Sequence, residues 1–349
     1  MNDQTTPVRF GIVGCGIIAE VHAKCLLEMA GAKLTALFDP AADKANAFAE
    51  KFGGAVCGTY EELLAREDVD VVCICTPSGL HARQTVAAAR AGKHVVVEKP
   101  MAIKLEDIDA MLAACAQSGV FLATIFPRRM SPQARYARQL IREGRLGRLS
   151  LCSGYVKLYR DQAYYDSAGW RGTWQMDGGG VMMNQGIHTV DLLQWLVGPV
   201  RSLYGQARAV LRDIEVEDTA VALLRYESGA MGTFEMTTTA YKGKGQRLEI
   251  HGEKGTMIIE EDDIVSLEID GEQVVLPAFE PFRVVPDGHL AQLRDMAEAV
   301  RGRREPIVTG AEGRHSLEII LGVYASSRER REVEIGGRQT GIREEGVAG

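Results

Sequence analysis

Two separate segments of the chain carry residue types that could move a proton and stabilise a developing negative charge. Lys99 stands in Glu98-Lys99-Pro100, directly after an apolar run. His188 follows three glycines at residues 178–180, and Asn184 stands four residues before it. An imidazole with its ordinary pKa of about 6.5 can accept a proton near neutral pH, and an ammonium group stabilises an oxygen that gains negative charge. The pair predicts proton-transfer chemistry at an oxygen atom.

The helix that would carry His188 presents further polar side chains on the same face. Asn184, His188 and Asp191 are spaced by four and three residues, so they project together. Because a polar stripe is costly in a core, we expect this face to line a cleft. The alternative is a core histidine that hydrogen-bonds to Asp191. No metal site is expected, since a histidine and an aspartate supply only two ligands.

A glycine-rich turn near the start of the sequence predicts a dinucleotide site. The apolar run over residues 8–13 leads into Gly14-x-Gly16-x-x-Ala19, and a helical pattern follows at once. Gly14 permits the tight turn, and Gly16 lets the backbone approach a diphosphate. That diphosphate would lie on the free N–H groups of the helix N-terminus. The other turn residues expected to contact the cofactor are Cys15, Ile17 and Ile18.

An aspartate placed after the second apolar run indicates which dinucleotide is bound. Asp39 follows residues 34–38 and stands 25 residues after Gly14. A carboxylate there accepts from both ribose hydroxyls and repels a 2′-phosphate. The next residues, Pro40-Ala41-Ala42, offer no arginine to receive that phosphate, so NAD is predicted over NADP. The alternative role for Asp39 is an N-cap of the following helix.

Further cofactor contacts are expected where apolar runs end, because ligands bind at the carboxyl ends of strands in an open α/β sheet. The run over residues 70–75 ends in Thr76-Pro77, which would lie beside the cofactor. His81 either faces the cofactor ribose or is a solvated helix residue. The run over residues 93–97 ends in Glu98 and Lys99, expected at the cofactor pocket. The alternative for Lys99 is a surface ion pair with Glu98.

The pattern of runs that positions these residues predicts two domains. Over the first 125 residues, continuous apolar runs alternate with helical patterns, and a glycine follows most of these patterns. This predicts a doubly wound α/β Rossmann domain over residues 1–126. From about residue 148 the runs lengthen and alternate, which predicts an α+β domain over residues 127–349 with a large, mostly antiparallel open sheet. The polar tail after Ile335 is expected to be loosely ordered.

Composition excludes several classes of partner. The net charge is −7 with no basic run, which argues against binding to nucleic acid or an anionic membrane. There is no apolar stretch of about 18 residues and no signal-like start, so a cytoplasmic protein without a membrane span is expected. The seven cysteines form an odd set without a CxxC pair, which indicates reduced thiols rather than disulfides or a zinc site.

Taken together, the four motifs resemble the Gfo/Idh/MocA family, named for glucose-fructose oxidoreductase, inositol dehydrogenase and a rhizopine-catabolism protein. The glycine turn, Thr76-Pro77 with His81, Glu98-Lys99-Pro100 and the glycine-opened helix occur in this order and spacing, and residues 248–255 extend the resemblance over nearly the whole chain. The resemblance implies an NAD(P)-dependent oxidoreductase that oxidises a secondary hydroxyl of a sugar, inositol or sugar acid. It also implies homodimers or homotetramers formed through the open sheet.

The resemblance further implies roles for individual residues. Lys99 matches the family's EKP lysine, which would polarise the reacting oxygen, and His188 matches its catalytic histidine, the general acid/base. Asn184 stands where inositol dehydrogenase-like members carry an aspartate. An amide cannot relay a proton, although it can hold a substrate hydroxyl. Some members that act on nucleotide-linked sugar acids look similar at this position, which widens the expected substrate range.

Arginines and aromatic rings before the glycine-opened helix suit a sugar, whose apolar face stacks on rings while its hydroxyls or carboxylate meet guanidinium groups. The alternative for each arginine is a solvated or ion-paired side chain. Two other functions remain open: an NAD-dependent glycosidase of the same family, and a non-catalytic regulator that responds to NAD. The residues expected to bind substrate are Arg128, Tyr159, Trp170, Arg171 and Asp191.

Overall fold

A computed structural model describes residues 6–336 of the chain, and two β-sheets organise them. Most of the tail predicted after Ile335 lies outside the described residues. No helix within residues 6–336 is long and apolar enough to cross a membrane.

The first sheet is six-stranded and entirely parallel, in the order β3-β2-β1-β4-β5-β6. Its central strands are fully buried on both faces, which explains their continuous apolar runs. The Rossmann domain predicted from the sequence is therefore confirmed. Its strands are β1 Val8–Val13, β2 Ala32–Phe38, β3 Ala55–Val56, β4 Val71–Ile74, β5 His94–Val97 and β6 Leu122–Thr124. Its helices are α1 Ile17–Glu28, α2 Ala42–Phe52, α3 Tyr60–Leu64, α4 His81–Arg90 and α5 Leu105–Ser118.

Two of these elements, β3 and α3, are not predicted by the sequence pattern. The strand β3 has only two residues, both exposed, and the helix α3 has only five. Elements this short contain too few residues to show a period. The four apolar runs named in the sequence analysis fall on β1, β2, β4 and β5. Helix α5 ends at Gly119 in the left-handed conformation expected of a C-terminal glycine.

The second sheet has nine strands in the order β14-β13-β12-β11-β7-β10-β9-β8-β15. Its pairs are antiparallel except for β7 and β10, which are parallel, so the mostly antiparallel sheet is confirmed. The strands are β7 Leu149–Lys157, β8 Val200–Arg208, β9 Thr219–Tyr226, β10 Met231–Thr237, β11 Gly245–Gly252, β12 Gly255–Glu260, β13 Asp263–Ile269, β14 Glu272–Gln273 and β15 Val333–Glu334. The helices are α6 Pro132–Arg142, α7 Gln162–Asp166, α8 Ile187–Val197, α9 His289–Gly302 and α10 Gly310–Glu329.

The C-terminal part of the chain returns to the first sheet. Helices α8 and α10 cover one face of the second sheet, whereas α9 packs on α1 and β1 of the Rossmann domain. Leu293, Met296 and Ala297 of α9 belong to the same buried cluster as Phe10 and Leu26. The Rossmann core is thus completed by a helix from the sequence range assigned to the second domain.

A buried ion pair joins the short helical turn Pro127–Met130 to α8. The guanidinium of Arg129 donates to both carboxylate oxygens of Asp191, at 2.8 and 2.7 Å, and both side chains are 2% exposed. Ser316 of α10 also donates to Asp191, at 2.8 Å. Asp191 therefore turns into the core, and the prediction that it binds substrate is wrong, because Arg129 captures its carboxylate.

We expect the Asp191→Ala variant to lose about 3–5 kcal/mol of unfolding free energy, because the Arg129 charge stays buried without its partner. The control is Arg283→Ala, which removes an exposed ion pair with Asp287 and should cost less than about 1 kcal/mol. Urea denaturation measures both. Equal losses in the two variants would contradict the structural role of the buried pair.

Candidate active site

A cleft of about 760 Å³ opens at the carboxyl ends of the parallel strands. The Rossmann domain supplies most of its wall, and residues 170–184 of the second domain supply the rest. The site residues predicted from the sequence that line this cleft are Gly14, Gly16, Ile17, Ile18, Asp39, Thr76, Pro77, Glu98, Lys99, Trp170, Arg171 and Asn184.

The glycine turn has the shape that a diphosphate requires. Gly14 has a φ of 86°, and a Cβ there would lie 2.9 Å from the carbonyl oxygen of Cys75. A Cβ on Gly16 would meet nothing within 4 Å, so the backbone is open toward the cleft. No side chain caps the N-terminus of α1, which leaves its first N–H groups free for an anion. These residues therefore fit a dinucleotide cofactor.

Asp39 lies at the far end of this turn. Its carboxylate accepts from the backbone N–H groups of Cys15 and Ala41, each at 2.9 Å, so it braces the glycine turn and the start of α2. Burial and the Asp39 charge raise the pKa of the Cys15 thiol to about 12. Lys44 also lines the cleft. It is a cation that the sequence analysis, which considered only residues 40–42 as possible partners of a 2′-phosphate, did not include.

His81 is buried between two backbone carbonyls. Its Nδ1 lies 2.8 Å from the carbonyl oxygen of Pro100 and its Nε2 lies 2.7 Å from that of Thr76. The ring is buried, and burial lowers the pKa of the imidazole. The solvated alternative is wrong, because the ring is buried, whereas the ribose contact stays a prediction. A neutral imidazole carries one N–H and can donate to only one of the two carbonyls. His81 joins the loop after β4 to the loop that carries Lys99.

Lys99 bridges the two domains. The Lys99–Pro100 peptide bond is cis, and the Lys99 Nζ donates to the backbone carbonyl of Asn184 at 3.1 Å. Burial lowers the pKa of the Lys99 ammonium, while the Glu98 and Asp177 charges oppose that shift. The lysine therefore lies at the lip of the cleft in contact with the helix that carries His188.

Behind Lys99, two histidines that the sequence reasoning missed hold Glu98. Its Oε1 lies 2.7 Å from Nε2 of His22 and 3.6 Å from Nε2 of His289. Burial disfavours the ionised carboxyl, yet these histidine contacts hold the pKa of Glu98 well below its usual range. The three residues come from α1, the end of β5 and the start of α9, so only the folded chain brings them together.

These three side chains also form a cluster whose ligand atoms lie within 4.8 Å of one another, close enough to hold a metal ion. Metal binding through both Nε2 atoms would place a proton on each Nδ1. Both Nδ1 atoms are buried and have no partner in the described part of the chain, whichever nitrogen carries the proton. His22 Nε2, however, already lies at a hydrogen-bond distance of 2.7 Å from Glu98 Oε1. The arrangement therefore fits Nε2–H donors to Glu98 better than a metal centre.

The three glycines explain how the second segment enters the site. The turn Val181–Gly186 is a π-helix that leads into α8, and a Cβ on Gly180 would overlap the carbonyl oxygen of Glu217. The Glu217 carboxylate accepts from the N–H groups of Gly180 and Met182, at 2.8 and 2.9 Å, and from the Tyr324 hydroxyl at 2.8 Å. A buried carboxylate thus anchors the helical segment that carries Asn184, and burial raises the pKa of Glu217 to about 7.

The Lys99 charge acts on the His188 imidazole. Burial and the Lys99 and Arg128 charges hold the pKa of His188 well below 6.5, so the expectation of an ordinary pKa is wrong. Its ring meets Phe126 edge-on at 6.3 Å between centroids. Its Nδ1 is buried and finds no hydrogen-bond partner within residues 6–336. The imidazole is therefore neutral at physiological pH.

The predicted substrate wall divides into two groups. The Arg171 guanidinium lies over the rings of Tyr164 and Trp170, at 4.6 and 4.7 Å, and faces the cleft. Arg128 is buried and donates to Asp262 and Gln246, so its predicted substrate role is wrong. Tyr159 packs against Tyr241, with ring centroids 6.2 Å apart, and is not among the residues that line the cleft, so its substrate role stays a prediction.

The parallel sheet, the open glycine turn and the lysine at the cleft define an NAD-binding oxidoreductase with a Rossmann fold. Residues 8–126 match the oxidoreductase family model with an NAD-binding Rossmann fold, and residues 134–258 match the GFO/IDH/MocA C-terminal domain. The chain belongs to the Gfo/Idh/MocA family and is an NAD-dependent dehydrogenase that acts on CH–OH groups.

Full-length relatives agree with this assignment. The chain is 30% identical to 1,5-anhydro-D-fructose reductase of Ensifer adhaerens, over 94% of this chain and 99% of that protein. It is 28% identical to myo-inositol 2-dehydrogenase of Thermotoga maritima, over 94% and 98%. The crystal structure of the WlbA dehydrogenase from Bordetella pertussis in complex with NADH and UDP-GlcNAcA superposes with a TM-score of 0.89 at 34% identity, over 96% of this chain and all of that one.

The anchor at Glu217 makes stability depend on pH. Its pKa is about 7 in the folded chain, above its ordinary value near 4.5, so between these values the folded state holds a proton that the unfolded state has released. The unfolding free energy should therefore fall as pH rises through this window, by at most about 1.4 kcal/mol per pH unit. Urea denaturation from pH 5 to 8 should show that the unfolding free energy of Glu217→Gln falls less steeply with pH than that of the wild type. The exposed control Glu253→Gln should keep the wild-type slope, and parallel curves for all three proteins would refute the assignment.

Proposed function

We propose that this dehydrogenase oxidises a secondary hydroxyl of a sugar or sugar acid, with NAD bound along the glycine turn. The observation that carries the proposal is the convergence of two domains on one cleft. Lys99 comes from the end of β5, and its Nζ contacts the backbone of Asn184 on the segment that leads to His188. The substrate hydroxyl would lie between Lys99 and His188.

The roles of the two residues follow from their surroundings. Lys99 would donate to the reacting oxygen and stabilise the negative charge that develops there. His188, neutral at physiological pH, would accept the hydroxyl proton at Nε2, because its Nδ1 is buried. NAD, when bound, supplies the acceptor for the hydride.

The wall of the cleft favours an acidic sugar over a neutral polyol. The Arg171 guanidinium lies over the rings of Trp170 and Tyr164 in the wall of the cleft, and its Nε has no partner among the described residues. Arg160 also lies over the Tyr164 ring, 5.1 Å from its centroid. A carboxylate or diphosphate would satisfy such guanidinium groups. The Bordetella relative was crystallised with a nucleotide-linked sugar acid, so this class is our first choice of substrate.

We also propose NAD in preference to NADP. Asp39 lies in the wall of the cleft with one carboxylate oxygen bonded to the glycine turn, where its charge would repel a 2′-phosphate. Lys44 in the same wall would favour that phosphate, so the two charges compete. The rates with NAD and NADP measure which of them dominates.

The decisive assay follows absorbance of the reduced nicotinamide with UDP-linked uronic acids, free uronic acids, hexoses and inositols. We expect turnover to be fastest with the acidic sugars. Lys99→Ala should lower kcat about 10²- to 10³-fold and leave NADH binding unchanged, because the lysine acts on the reacting oxygen. The exposed Lys104→Ala variant is the matched control.

Other outcomes of this assay separate the alternatives. Normal turnover by Lys99→Ala would overturn the role given to that lysine. Release of an aglycone without net NADH would favour the glycosidase. Binding of NADH without turnover on the whole panel would favour the regulator.

We propose that two copies associate through the outer face of the second sheet. The strand register places Leu151, Tyr204, Leu223 and Met231 on one face, and all are 40–55% exposed. An apolar sheet face of this kind is typical of an interface. Light scattering should show a dimer or tetramer that Leu223→Lys dissociates. Val275→Lys, at a residue that is 93% exposed outside this face, should leave assembly intact, and a monomeric wild type would contradict the proposal.

A further inference from the structure

A carboxylate that the sequence reasoning did not single out lies in the wall of the cleft. Asp177 directly precedes the three glycines and is only 4% exposed, although it lines the cleft. Its Oδ2 accepts the backbone N–H of Gly172 at 2.9 Å, and its Oδ1 accepts Nδ2 of Asn184 at 3.0 Å. The backbone N–H of Asp177 donates to Thr173 at 3.1 Å, so the loop itself is well braced.

The contact with Asp177 decides which way the Asn184 amide points. Burial raises the pKa of Asp177, while the hydrogen bonds from Gly172 and Asn184 and the Lys99 charge oppose that shift. Both Asp177 oxygens act as acceptors here, and an ionised carboxylate cannot donate. The NH₂ group of Asn184 must therefore face Asp177, and its carbonyl oxygen must point away. No hydrogen bond within residues 6–336 uses this carbonyl oxygen, while Asn184 itself lines the cleft. The amide is thus oriented to accept a hydrogen bond from a ligand hydroxyl.

Asp177 and Lys99 share Asn184 as a partner, since the Lys99 Nζ donates to the Asn184 backbone carbonyl at 3.1 Å and the Asn184 side chain donates to Asp177 at 3.0 Å. The charged and titratable groups that act on the Lys99 ammonium are Glu98, Asp177 and Arg171, and His188 lies near enough to feel its charge. Glu98 Oε1 is already held by His22, at 2.7 Å from its Nε2, and by His289, at 3.6 Å from its Nε2. Asp177 is therefore the acid that the second domain contributes to the surroundings of Lys99.

We propose that Asp177 is a positioning residue, which orients the Asn184 amide to accept a substrate hydroxyl and supports the charge of Lys99. The ligand that such a pair recognises is a sugar with a second free hydroxyl close to the one that is oxidised. The proposal rests on the proposed function in the sense that a substrate must reach Asn184. It also accounts for an acid in the surroundings of Lys99 although this chain carries Asn184 where inositol dehydrogenase-like members carry an aspartate.

Replacing Asp177 by asparagine should reverse the polarity of the pair. The introduced amide would keep its oxygen on the Gly172 N–H and turn its NH₂ toward Asn184. Asn184 would then have to present its own oxygen to that NH₂ and its NH₂ group to the substrate. The double variant D177N/N184D restores a carboxylate to the pair and an acceptor to the cleft, with no change in side-chain size.

The experiment compares the wild type, D177N, D177N/N184D and the control Asp213→Asn, which changes an exposed aspartate. The first measurement is the rate of acylation of Lys99 by a small amine-modifying reagent across pH, quantified by peptide mass spectrometry. It reports the ionisation of Lys99 whether or not a substrate is known. The second is kcat and KM on the best substrate of the panel across pH, with NADH binding and thermal unfolding as checks on folding.

We expect D177N to move the labelling midpoint of Lys99 to lower pH and to lower kcat/KM about 10- to 100-fold, because a charged hydrogen bond is lost from the site. D177N/N184D should recover most of both effects, and Asp213→Asn should match the wild type. Wild-type labelling and kinetics in D177N would overturn the proposal. A double variant as impaired as D177N would also overturn the proposal, because a carboxylate in the pair would then not account for the labelling and the kinetics.

Failure of the proposed function looks different. A wild type that turns over none of the sugars would contradict the proposed reaction, while the labelling midpoint would still decide whether Asp177 supports the charge of Lys99.

Discussion

The Lys99 ammonium has to keep its charge in a cleft where burial disfavours charged groups. Glu98 stands next to it in the chain, and the same burial would neutralise this acid if His22 and His289 did not contact its carboxylate. The Asp177 charge, from the second domain, also opposes the effect of burial on the pKa of Lys99. The site is therefore a balance of buried charges, each of which needs a partner from another part of the chain.

This constraint explains why the C-terminal part of the chain returns to the first domain. Helix α9 brings His289 to Glu98 at its first residue and completes the core of the parallel sheet with its apolar face. The ion pair between Arg129 and Asp191 ties the connection between the domains to α8. The two domains are thus joined by buried polar contacts as well as by packing, which suits a cleft whose two walls must keep their spacing.

A buried carboxylate of the second domain, Glu217, positions the wall that this domain contributes to the cleft. Glu217 accepts from the N–H groups at the start of the π-turn, and the absence of a side chain at Gly180 lets the backbone approach it. The π-turn is followed directly by the α-helix that carries His188. A wide turn of this kind is frequent at functional sites, because it redirects side chains that a regular helix would place elsewhere.

Much of the fold and part of the site follow from local sequence. Continuous apolar runs predict the buried parallel strands, and the glycine turn with Asp39 identifies the dinucleotide site, since both signals lie within short stretches of chain. Lys99 and Trp170-Arg171 could be located in the cleft wall for the same reason. Helical spacing alone, however, places Asn184, His188 and Asp191 on one face, whereas in the folded chain Asp191 turns to Arg129, 62 residues away in sequence. The partners of Glu98 are 76 residues before it and nearly 200 after it. Periodicity reports which residues can be buried, and only the tertiary structure decides which distant charge each buried polar group meets.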